Sequence, residues 1–96
     1  MLGPIDDVLD TRAVVYLARN EPQKAKQDLQ TVISGGSKSP EVYFHLAQAE
    51  QELKSNNDAR AALQRSVELG LSLGRVKPVE RPRLQQLASE LGVDVS

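Results

Sequence analysis

The chain superimposes on itself at an offset of 34 residues without a gap. Val8 falls on Val42, Ala13 on Ala47, Ala25 on Ala59, Leu29 on Leu63, Gln30 on Gln64 and Gly36 on Gly70. A period of this length belongs to a two-helix unit that stacks on a neighbouring copy of itself. The matched alanines fall where two crossing helices would come close, because a bulkier side chain would hold them apart. The expected fold is therefore all-α: an α-solenoid of two helix-turn-helix units, followed by whatever the remaining residues form.

Local signals place the helices. An apolar series at Val8, Leu9, Ala13, Tyr16 and Leu17 recurs at helical spacing behind Asp6 and Asp7, predicting a first helix over residues 7–19. Pro22 suits the first turn of a second helix, with Ala25, Leu29, Val32 and Ile33 as its buried stripe, ending near Ser34. Gly35 and Gly36 open a breaker cluster, and Pro40 restarts the pattern for a third helix over residues 40–53. Lys54, Ser55, Asn56 and Asn57 form a turn in which either asparagine can cap the fourth helix. That helix packs Ala59, Leu63, Ser66 and Val67 and stops at Gly70 or Gly74. Residues 71–78 read as irregular. Pro82 then begins a last helix with Leu84, Leu87 and Leu91 on one face and Gly92 at its end, the form of an element that covers the raw end of a stack. The units are thus expected at about residues 6–39 and 40–73, with a cap over about residues 81–92, in one domain.

A chain of 96 residues buries only roughly 65% of the surface its unfolded form exposes, so modest stability is expected. A net charge of −1 and the lack of any Lys/Arg run able to track phosphates argue against nucleic acid as a partner. The apolar runs are far too short to span a bilayer, so no membrane partner is expected. With no cysteine, neither a disulfide framework nor a thiolate metal site is available, and the compartment is undetermined.

Leu9, Arg12, Ala13, Tyr16, Ala25 and Leu29 in the first unit, and Tyr43, Leu46, Ala47, Glu50, Ala59 and Leu63 in the second, resemble the tetratricopeptide repeat. The sequence departs from that pattern at Arg12, where Leu is usual, at Glu50, where Tyr is usual, and in lacking a proline at the end of each unit. The resemblance implies that the first helix of each unit lines a concave groove for a peptide or partner helix. It assigns to that groove Asp7, Asp10, Thr11, Val14, Leu17 and Ala18 from the first unit, with Glu41, Phe44, His45, Gln48, Gln51 and Glu52 from the second. Some members grip the carboxylate tails of chaperones with Lys, Arg and Asn at such positions. None of those residue types occurs in this set, so that clamp is not expected.

Catalytic and metal readings fare worse than structural ones. His45 is the only histidine, and Glu41 one turn before it could share a proton or a metal ion with it, but metal centres generally use about three protein ligands. The pair reads as groove-facing or solvated. Asp6, Asp7 and Asp10 over the first turns of a helix favour its positive end rather than a cation site. Gly35 and Gly36 lack the Gly-Lys-Ser/Thr of a phosphate loop, and no polar constellation for an enzyme can be assembled. No cofactor and no metal are expected. Tyr43 can take the inward position and leave Phe44 for the groove, while burial of Phe44 against the first unit is an equal reading. Arg12 either snorkels outward or pairs with an acid.

The expected function is protein interaction, with a peptide or helix held by Asp7, Asp10, Val14, Glu41, Phe44, His45, Gln48, Gln51 and Glu52. The acids in that set suggest a basic and partly apolar ligand. The alternative is a structural end-cap or a self-associating segment, in which Val8, Leu9 and Val15 meet preceding repeats or a second copy.

Overall fold

A computed structural model describes the backbone of residues 3–95 and the side chains of residues 8–95. Among the described residues the fold is all-α. Helices α1 (Gly3–Ala18), α2 (Pro22–Ser34), α3 (Pro40–Glu52) and α4 (Asn56–Glu68) are followed by a 3-10 turn at Pro78–Glu80 and by α5 (Arg81–Leu91). Helix α1 begins before the expected residue 7, since Pro4 is accommodated in a first helical turn, where no N–H is needed. The side chains of Asp6 and Asp7 lie outside the described residues.

The period of 34 recurs in the backbone itself. Asn20 and Lys54, one period apart, both take the left-handed conformation, at φ 64° and 66°. Each is followed by the same closing bond, from Glu21 N–H to the Tyr16 carbonyl and from Ser55 N–H to the Glu50 carbonyl, both 2.8 Å. Gly36 and Gly70 repeat the device after α2 and α4, at φ 100° and 110°. A left-handed residue here turns the chain back while its neighbours satisfy the last carbonyls of the helix. The fourth helix departs from expectation at its start: Ser55 holds the cap position without a side-chain bond, and Asn56 and Asn57 are already helical.

Packing follows the alanines. Ala13, Ala25, Ala47 and Ala59 are all fully buried, at the α1–α2 and α3–α4 contacts of two helical hairpins. Helix α2 packs on α3 and joins the hairpins, with Leu29 and Leu63 fully buried beside the alanines. Ser66 donates from Oγ to the Pro40 carbonyl at 2.9 Å and so is buried without loss. Arg12 takes the second of its two readings. It forms a two-point bond with Asp28 of α2, Nε to Oδ2 at 2.8 Å and Nη2 to Oδ1 at 2.7 Å, which raises the guanidinium pKa. Glu50 is buried, and burial pushes its carboxyl above the usual range, with Lys26 at 3.9 Å opposing in part.

The C-terminal helix covers α4 with Leu84, Leu87, Ala88 and Leu91, all buried. Gly92 closes it in the left-handed region at φ 70°, and Arg60 of α4 donates from Nε to the Leu91 carbonyl at 2.9 Å. The preceding loop is not merely irregular: Leu71 and Val76 are buried, and Leu73 N–H bonds the Val95 carbonyl at 3.1 Å. No helix among the described residues is long and apolar enough to cross a membrane.

Candidate functional site

Helix α3 forms the floor of a groove, with α1 as one wall and the 3-10 turn and α5 as the other. Val14, Leu17 and Ala18 of α1, His45 and Gln48 of α3, and Val79, Glu80 and Arg83 of the far wall enclose a cavity of about 400 Å³. A smaller one of about 220 Å³ continues from it and adds Asp10, Thr11, Val15, Glu41 and Lys77. The two share Val14, His45 and Glu80, so they form one trough with His45 at its middle.

His45 is 5% exposed and makes two bonds. Its Nδ1 lies 2.9 Å from Asp10 Oδ1 and its Nε2 lies 3.0 Å from Glu80 Oε1. No tautomer of neutral imidazole donates to a carboxylate from both nitrogens, so the ring is imidazolium. Burial alone would pull its pKa down, but the bonds to Asp10 and Glu80, aided by both charges, outweigh burial and push it up to about 9. The His45 bond in turn holds the Glu80 carboxyl below the usual range, with burial opposing and the charges of His45 and Lys77 assisting. With both nitrogens committed, the ring has no lone pair with which to accept a substrate proton. The cluster ties α1, α3 and the far wall together.

Gln48, 9% exposed, lies one turn further along the floor. Its side chain has no hydrogen bond with any described residue, yet no described polar atom is both sealed from solvent and unpartnered. The Gln48 amide therefore opens into the cavity, a donor and acceptor ready at the base of a largely apolar trough.

Among the described residues of the expected set, the structure brings Asp10, Thr11, Val14, Leu17, Ala18, Glu41, His45 and Gln48 together along the trough and places Phe44, Gln51 and Glu52 elsewhere. Phe44 is fully buried, its ring 5.4 Å from the His45 ring, so it belongs to the core and not to the lining of the trough. The aromatic left near the surface is Tyr43, in a depression with Leu46, Glu50, Asp58, Ala61, Ala62 and Arg65 away from the groove. Gln51 and Glu52 line a different cleft of about 500 Å³ beside Lys54, Asn56, Gln86 and Glu90. There Gln51 Nε2 donates to Glu90 Oε1 at 2.6 Å. Asp7 has no described side chain.

Sequence reasoning missed the far wall: Lys77, Val79, Glu80 and Arg83. A signal was present. Asp10, His45 and Glu80 stand at successive intervals of 35 residues, one position beyond the repeat length, so that each helix layer contributes one member of the cluster. Comparison with family models, with curated proteins and with solved structures gives no match to this chain.

Proposed function

We propose that the chain is a tetratricopeptide-type protein-interaction module that receives a peptide or partner helix in the trough over α3. The observation that carries this reading is the Gln48 amide, unpaired among the described residues and open to a cavity whose walls bear Val14, Leu17, Ala18 and Val79. Apolar walls supply affinity and a free amide on the floor supplies orientation, the usual division of labour in a recognition site. Val79 is 82% exposed at the rim, available to cover an incoming side chain. The repeated backbone turns after α1 and α3 support the tetratricopeptide assignment. The test is selection of random linear peptides on the immobilised chain, repeated on Val14→Asp. Enriched peptides should lose binding to the variant, and binding indifferent to Val14 rejects the groove.

A second reading, end-cap or self-association, is favoured by a different face. Val8 is 63% and Val15 46% exposed, while their counterparts one period later, Val42 and Ala49, are 4% and 0% exposed. Positions that the first hairpin covers in the second unit are uncovered in the first. Sedimentation equilibrium over a range of concentrations tests it, with Val8→Lys as the variant that should lower any self-association.

A further inference from the structure

The trough loses its acidic character once the pairing within it is counted. Asp10 is bonded to His45, and so is Glu80, the acid contributed by the far wall. The negative charge left on that cluster is met by Lys77, which lies near enough to help hold the Glu80 carboxyl low. Glu52 faces the other cleft. Glu41 lies at the end of the trough beyond His45, beside Thr11 and Lys77.

Arg83 stands at the opposite end, with Val14, Leu17, Ala18 and Val79 around the larger cavity. It is exposed and has neither a hydrogen bond nor an ion pair with any described residue. An unpaired guanidinium presents a planar fork that matches a carboxylate at two points, and here it borders aliphatic walls. Gln48 on the floor beneath has its amide free for the backbone or side chain of whatever enters.

We propose that the trough takes an acidic, partly apolar peptide segment, with an aliphatic side chain lodged among Val14, Leu17 and Val79 and a neighbouring carboxylate on Arg83. This rests on the trough being a peptide site and reverses the charge expected from the sequence. A Lys or Arg at the same point of the ligand meets like charge at Arg83 and is rejected, so the residue acts on specificity as well as affinity. Glu41 at the far end then fixes direction, because a segment entering reversed brings its carboxylate against an acid.

The experiment reads the composition of peptides selected from a random linear library on the full chain, with Arg83→Glu in parallel. Arg83 is exposed and outside the core, so the variant folds, which circular dichroism verifies. The expected result is enrichment of Asp or Glu next to Leu, Ile or Val, with binding weakened roughly tenfold or more by Arg83→Glu and reduced by salt. Enrichment of basic peptides, or acidic peptides that bind Arg83→Glu as tightly as the parent, overturns this inference and leaves the groove itself standing. Selected peptides that ignore both Arg83 and Val14 overturn the groove as well.

Discussion

Asp10 and His45 meet at 2.9 Å across 35 residues of chain, and through that bond the first hairpin grips the floor of the trough. The same ring grips Glu80 on its other edge. The imidazolium is thus a fixed cation in the fold, and its protonation is linked to stability.

The sign follows from the direction of the shift. The folded pKa of His45, about 9, lies above the ordinary 6.5, so its contribution is complete below about pH 6.5 and is lost as pH rises through 9. Its size is on the order of 3 kcal/mol, from 1.36 kcal/mol for each pH unit of difference. The unfolding free energy from urea titrations should fall across this alkaline window and stay nearly level in His45→Gln. Glu80, held low, acts in the opposite sense: its contribution is present above the ordinary carboxylate range and is lost as pH falls through the lowered value.

Phe44→Ala should destabilise by about 3–5 kcal/mol, the cost of emptying a fully buried aromatic site. Its effect on a selected peptide should vanish once binding is corrected for the folded fraction. A binding loss in fully folded protein would return Phe44 to the ligand surface.

Ala47→Leu should cost about 1–3 kcal/mol, because Ala47 is sealed at the α3–α4 contact and added methyl groups must force the hairpin apart. A thermal melt that matches the parent would mean that the helices can separate there without penalty.

Lys54→Gly should stabilise by roughly 0.5–1 kcal/mol, since a left-handed non-glycine residue carries strain that exceeds the added chain entropy of glycine. The comparison is with Gly36 and Gly70, where sequence already supplies the unstrained residue. Chemical denaturation decides it; a loss of stability would show that the Lys54 stem contributes packing of its own.

What could be read from the sequence was what repeats. The alanines, the leucine pair and the breaker glycines are dictated by local helix packing and turn conformation, so their spacing exposed the hairpins and the helix ends within a few residues. The trough was half legible. Asp10, Val14, Glu41, His45 and Gln48 follow from their places on α1 and α3, but Lys77, Val79, Glu80 and Arg83 reach the site only because residues 71–78 fold back over buried Leu71 and Val76. No short-range pattern encodes that return. Phe44 was left between two equal readings because two neighbouring aromatics on a helix give no local sign of which faces the core, and packing in the fold decides for burial. The pairing of the acids was hidden for a related reason: counting acids along the sequence does not reveal that Asp10 shares one imidazole with Glu80 of the far wall.

The far wall is joined to α3 at two points, Glu80 to His45 at the middle of the trough and Glu90 to Gln51 in the neighbouring cleft. The first is part-buried with the His45 ring and the second is exposed, and α5 itself is held by its buried Leu84, Leu87, Ala88 and Leu91. The middle of the trough is thus set by charge, while the walls that rise from it are set by packing.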